Sequence, residues 1–142
     1  MRRTWLFLAA VLLGAAGGCS ERTTATLSPG LEQRFAAEGI VRRAPDQLFH
    51  FTLNPGGRAE RREDRRASII VTKSSVYIHK NDKVGLEITP RMRREVSVSR
   101  SGERVRIRSG SGRAEELWSF EPREDAAGWT TDIRAVIRQA TK

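Results

Sequence analysis

From Phe35 to Phe120 apolar and polar residues alternate in short runs, each ending in a cluster of Gly, Pro, Asn, Asp or Ser. Phe35 to Val41 and Leu48 to Leu53 predict two early strands separated by Pro45, and Asn54-Pro55-Gly56-Gly57 predicts the turn after them. Arg58 to Arg66 has Ala59 as its sole apolar residue and reads as a solvated loop or a frayed helix. Ser68 to Thr72, Val76 to Ile78 and Val84 to Thr89 predict three more strands, punctuated by Lys73-Ser74-Ser75, Asn81-Asp82 and Pro90. Glu95 to Arg100, Arg104 to Arg108 and Leu117 to Phe120 complete the set, with turns at Ser101-Gly102 and around Gly110 and Gly112. The period then changes. Trp129, Ile133, Val136, Ile137 and Ala140 form one helical stripe, with Pro122, Glu124 and Asp125 suited to its first turn and Gly128 weakening it. Many short strands at close spacing followed by one helix predict a mainly β fold: a small antiparallel barrel or sandwich of about seven strands, capped by a C-terminal amphipathic helix. Trp129, Ile133, Val136 and Ile137 are the expected core of that cap.

The amino terminus has a different pattern. Met1-Arg2-Arg3 precedes an apolar run from Trp5 to Leu13, then small residues lead to Cys19. This is the layout of a cleaved secretory signal over residues 1–18, and the run is too short for a permanent span of a bilayer about 30 Å thick. Residues 19–30 are rich in Ser and Thr and predict a flexible tether, leaving 31–142 as the folded domain. Ala16-Gly17-Gly18-Cys19 resembles the lipobox of bacterial lipoproteins, whose cysteine is lipidated after cleavage just before it. The resemblance implies a membrane anchor at Cys19 through acyl chains, each CH₂ contributing about 0.8 kcal/mol. With Ser20 next, it also implies the outer membrane, facing the periplasm. An ordinary secretory signal with an incidental Cys19 is the alternative.

Composition narrows the chemistry. One cysteine among 142 residues excludes a disulfide framework and a four-cysteine zinc site. Lys plus Arg number 26 against 17 acids, and 24 against 17 once residues 1–18 are removed, a net of +7. So basic a chain suits anionic partners, but an exported lipoprotein seldom meets nucleic acid and few aromatics are available for base stacking, so no nucleic acid is expected. No nucleophile elbow, metal-binding His pair or phosphate loop occurs, and His50 and His79 both fall in strand patterns. No catalytic residue, metal or cofactor is expected, and the chain reads as a non-enzyme.

The strand series resembles the pleckstrin-homology-like fold over Ala67 to Ala140. Ile69-Ile70-Val71-Thr72 and Val76-Tyr77-Ile78 resemble its second and third strands, and Leu117 to Phe120 followed by Trp129 resembles its last strand and helix. The resemblance implies a seven-stranded half-open barrel plugged by the helix tryptophan; another small antiparallel barrel with a helix is the alternative. For lipid-binding members it implies a basic residue late in the first strand, matched by Arg42 or Arg43, and basic residues before the second, matched loosely by Arg65 and Arg66. Two further groups are candidates for anionic ligands on charge alone: Arg91, Arg93 and Arg94 after Pro90, and Arg104, Arg106 and Arg108. Alternation puts the last three on one strand face opposite Val105 and Ile107, about 7 Å apart.

Three functions stand at this stage. The first is a lipid-anchored cell-envelope binding or scaffold module, contacting anionic lipid or an acidic protein through the basic strand face. The second is a subunit of an envelope protein assembly, bound through its sheet edge or the groove between sheet and helix. The third is an enzyme whose residues converge only in three dimensions, which a pocket joining His50 or His79 to a carboxylate would favour.

Overall fold

A computed structural model describes residues 28–80, 83–92, 94–110 and 114–139. The signal segment, Cys19, most of the expected tether, the turn at Asn81-Asp82, Arg93, Gly112 and Ala140 lie outside the described residues. The elements run α1 (Pro29–Glu38), β1 (Ile40–Leu53), β2 (Arg61–Thr72), β3 (Val76–Lys80), β4 (Lys83–Ile88), a 3₁₀ turn (Pro90–Met92), β5 (Val96–Ser101), β6 (Arg104–Ser109), β7 (Glu116–Phe120) and α2 (Ala126–Arg138). All seven strands join one antiparallel sheet in the order β4-β3-β2-β1-β7-β6-β5, curled into a half-barrel with α2 packed across it. This is the mainly β arrangement of seven antiparallel strands closed by a C-terminal helix that the sequence pattern predicts.

Alternation builds the core. Phe49 and Phe51 of β1, Ala67, Ile69 and Val71 of β2, Val105 and Ile107 of β6, and Trp118 and Phe120 of β7 all point inward and are buried. Trp129, Ile133, Val136 and Ile137 of α2 close the same core, and the Trp129 ring meets Phe120 edge-on at 5.7 Å. Asp125 is the N-cap of α2, accepting from the Gly128 N–H at 2.9 Å, so the helix starts after Pro122 and Glu124 and not at them. Gly128 lies directly against this cap. A Cβ there would collide with the Asp125 carboxylate and with the Arg42 guanidinium that pairs with it.

Four sequence expectations are corrected. Phe35 to Glu38 is helical, not extended: Pro29 sits in the first turn of α1, and Gly39, at a φ of 80°, ends it while its N–H donates to Phe35 and Ala36. α1 also includes Pro29 and Gly30, which were read as the end of the tether. The stretch read as a loop before Arg66 is the first half of β2, paired residue by residue from Leu53↔Arg61 to Leu48↔Arg66. Its mixed charge hides a strand because both sides reach solvent there, where the barrel is open. Finally, Pro45 does not divide two strands. It sits in a bulge of one long β1, with Asp46 at a φ of 60°.

α1 changes the outer side of the sheet. Residues Ala67 to Thr72 are buried without alternation because α1 covers their outer face. Phe35 packs on Tyr77 with ring centres 4.7 Å apart, and Ile70 and Leu31 complete a second small core. Glu38 closes this layer, accepting from the Tyr77 hydroxyl at 2.8 Å and the Thr72 hydroxyl at 2.8 Å. Burial is the main cause that raises the Tyr77 phenol above its usual pKa, and Glu38 adds to it while Ser75 opposes.

Candidate anion-binding face

The outer face of β2-β1-β7-β6-β5 carries three rows of side chains, because residues directly opposite in register share a face. Nearest the β1–β2 turn lie Arg62, Thr52, Leu117, Arg108 and Ser97. The middle row is Asp64, His50, Ser119, Arg106 and Ser99. Arg66 and Leu48 begin the third row, and Arg104 and Ser101 end it. His50, Asp64, Arg104, Arg106, Arg108 and Ser119 line one open recess of about 680 Å³.

Val105 and Ile107 are fully buried, and the three Arg residues point outward. Acids from either end of the neighbouring strand reach this basic face. Arg104 donates twice to Glu121, at 3.0 and 2.7 Å, and Arg108 pairs with Glu115 at 3.4 Å. Both glutamates flank β7, where single-strand alternation gave no sign of them. Arg106, in the centre, has no ion pair among the described residues.

The remaining charges of the recess are engaged locally. His50 Nδ1 lies 2.7 Å from Asp64 Oδ1, and Glu60 accepts from the Gly56 N–H at 2.6 Å and from Arg62. The Gly56 N–H first, then Arg62, holds the Glu60 carboxyl below the usual carboxylate range. Asp64, His50 and Ser119 are the residue types of a hydrolytic triad. Their geometry differs: the Ser119 hydroxyl is largely buried and donates to the His50 backbone carbonyl at 3.3 Å, so it is not presented to the ring as a nucleophile. His79 lies elsewhere, buried beneath α1 with its ring 6.0 Å from Phe35.

The other candidate cations have structural partners or stand apart. Arg42 reaches α2, where it pairs with Asp132 and, at 2.8 Å, with Asp125, while lying 5.7 Å over the Trp129 ring. The hydrogen bond to Asp132 is the largest influence raising the Arg42 pKa, and the Gly128 N–H followed by Arg42 lowers that of Asp125. Arg43 reaches the other way, to Glu32 of α1. Arg65 pairs with Glu63 and stacks 3.7 Å over Phe51, and Arg66 pairs with Asp46 at 3.3 Å. All four residues matched to the family's lipid-binding pattern are therefore held by carboxylates of the same chain. Arg91 and Arg94 are exposed beside the 3₁₀ turn, away from the recess, and Arg93 is outside the described residues.

A second recess of about 680 Å³ opens at the barrel mouth, between Arg61, Lys80, Lys83, Val84 and Trp118. Gly85 admits the Trp118 ring there, since a Cβ would stand 3.3 Å from it. At one edge of the sheet, Arg134 of α2 donates to the Val98 carbonyl of β5 at 3.2 and 3.0 Å. Among the described residues no group of three or more potential ligand side chains is placed to hold a metal ion, and no helix is long and apolar enough to cross a membrane.

No family model matches the chain, and no curated protein matches it. Among solved structures it is similar to one of Vav1 inhibited by an allosteric inhibitor, at 15% identity and a TM-score of 0.45. That similarity covers 77% of this chain and 29% of the Vav1 chain, so the protein spans under a third of its length.

Proposed function

We propose that this chain is a lipid-anchored, non-enzymatic binding module of the bacterial cell envelope. It is held at the outer membrane through Cys19, faces the periplasm, and contacts anionic envelope groups through the outer face of β6. One observation carries the binding half of this reading: Arg106 is an exposed guanidinium without an ion pair among the described residues, between two arginines whose acids stand at the strand ends. Such a centre attracts an anion, whereas the compensated charges around it leave little broad potential. The anchor half rests on the sequence, where the lone cysteine follows a signal of lipobox type.

Envelope assembly through the sheet edge or the sheet–helix groove is the competing reading. Arg134 weighs against it at β5, because it occupies the Val98 carbonyl that an added strand would need.

Two measurements test the proposal. Cells fed a radioactive fatty acid should label the wild-type chain and not Cys19→Ser; equal labelling of both refutes the anchor. The Cys19→Ser chain should then co-sediment with anionic vesicles better than with zwitterionic ones at low salt. That preference should weaken as salt shortens the Debye length toward about 3 Å at 1 M. Replacing Arg104, Arg106 and Arg108 by Gln should abolish it, and the same change at Arg61, Arg62 and Arg65 should do less. Greater damage from the second set refutes the assignment to β6.

A further inference from the structure

We infer that the β6 face docks on the anionic headgroup surface of the bilayer that holds Cys19, meeting it in cis from the β5 side of Arg106. This rests on the anchor and the β6 assignment proposed above, and adds which surface is met and why so weak a face suffices.

Charge decides the side. Toward β1 and β2 lie His50 and Asp64, and whatever charge the imidazole carries, the Asp64 carboxylate disfavours an anion there. The Asp64 backbone is three strand spacings from Arg106, about 14 Å against a Debye length of about 8 Å at physiological ionic strength, so its charge is screened from the β5 flank. On that flank the register sets Ser97 opposite Arg108, Ser99 opposite Arg106 and Ser101 opposite Arg104. All three serines are exposed, and their hydroxyls can donate to phosphate oxygens. β5 is the edge of the sheet, so among the described residues no further strand brings an acid to this side. The acids that flank β5 in the chain, Glu95 and Glu103, stand beyond its two ends.

The backbone supplies the reach. Glu38, at the C-terminal end of α1, accepts from the Thr72 hydroxyl at 2.8 Å. The next outward residues of β2, Ile70 and Ser68, are buried beneath the helix, and the one after them, Arg66, is exposed. α1 therefore runs back along β2, and its N-terminus points toward Arg66 and the third row. Arg66 and Arg104 share that row at three strand spacings, about 14 Å. Cys19 stands nine positions before Ser28, the first described residue. Nine residues of chain span at most about 32 Å. The anchor can thus hold the membrane against β5 and β6 while α1 stays docked.

Cis contact also fits the weakness of this face. Arg104 and Arg108 are engaged by Glu121 and Glu115, which leaves Arg106 as the free cation of its strand among the described residues. One exposed ion pair raises affinity about fivefold at most. That cannot recruit a protein from solution at physiological salt. An anchored domain needs less, because a short segment presents the headgroups at an effective concentration on the order of millimolar.

The experiment places the lipidated, isotope-labelled chain in nanodiscs at physiological salt, with spin-labelled headgroups as the probe. In discs rich in phosphatidylglycerol, the amide signals of Ser97, Ser99 and Arg106 should be broadened, and those of Thr131 and Ala135 on the exposed side of α2 should not. Phosphatidylcholine discs should show no such contrast. Arg106→Gln should lower the broadening about two- to fivefold. Inserting about twenty Gly and Ser residues behind Ser20 should lower it about fivefold, as the −3/2 power of segment length requires. Protein-free spin-labelled discs, mixed with unlabelled discs that carry the chain, should broaden nothing. Broadening in that mixture equal to that in cis overturns the inference, and so does contact unchanged by the longer segment. If Arg106→Gln still reduces the contact in either case, the β6 assignment stands and only the cis partner falls. Equal broadening of α2 and β5 overturns the inference as well. If Cys19 takes no fatty acid, the anchor and this inference fall together, and the vesicle preference of the Cys19→Ser chain still decides β6.

Discussion

Replacing Phe35 by Ala should release α1 from the sheet while leaving the barrel folded. Phe35 is fully buried, and with Leu31 it makes most of the apolar contact between α1 and the sheet. Truncating a buried Phe costs about 3–5 kcal/mol when the surroundings cannot adjust. Here the loss is limited to the docking energy of α1, because a ten-residue helix can detach as a unit and is not stable alone in water. The barrel, with its own separate core, should therefore keep a cooperative transition. Tyr77 is the reporter, being the one tyrosine of the chain. Its phenol pKa is raised, chiefly by burial, so the folded state holds that proton more tightly than the unfolded chain does. The resulting stability is complete below about pH 10, the ordinary phenol value, and disappears as pH rises through the higher folded value. Tyrosinate absorbance should thus appear above pH 10 in the wild type and return toward 10 in Phe35→Ala, which exposes the ring. Hydrogen exchange should show the same event as lost protection over residues 29–39. A wild-type phenol titrating at its ordinary value, or unchanged exchange in the variant, would refute the docked helix.

Two other substitutions test how the opposite helix is held. Trp129→Ala removes a buried ring from the closure of the barrel and should lower stability by about 3–5 kcal/mol, read by chemical denaturation; an unchanged midpoint contradicts the packing of α2. Gly128→Ala should lower the melting temperature, although helix propensity alone promises a gain of about 1 kcal/mol. The new methyl group displaces Asp125 from its cap and Arg42 from Asp125, and a rise of several degrees would show that the cap matters less than the geometry implies.

Period-two alternation from Ser68 to Phe120 was enough to read most of the sheet, because each of those strands has one face in the core. It failed where that condition fails. Arg61 to Arg66 lies at the barrel mouth with water on both sides, so no apolar residue marks the strand; its partner across the Asn54-Pro55 turn fixes it. Had that half of β2 been recognised, the register would have placed Asp64 opposite His50, and the central pair of the candidate site would have been legible. α1 left a fainter trace in Pro29 and Gly39 at its ends and in Leu31 and Phe35 four apart, but Phe35 to Val41 also fits a strand. The Arg104, Arg106 and Arg108 face follows from alternation, whereas Glu115 and Glu121 reach it from the next strand and cannot be seen in one strand alone. The same holds for Arg42 and Arg43. Their position suits a headgroup contact by resemblance, and only the packed helices give them Asp125, Asp132 and Glu32 as partners.

The central claim is a location: anions meet this protein on the outer face of β6 and not at the barrel mouth. Two-dimensional NMR of the isotope-labelled Cys19→Ser chain, titrated with small anionic bicelles at low salt, tests it directly. The account predicts the largest shifts at Arg106, Ser99 and Ser119, reversed on adding salt and absent in Arg106→Gln. Shifts concentrated at Arg61, Lys80, Lys83 and Trp118, with Arg106 unmoved, would contradict it.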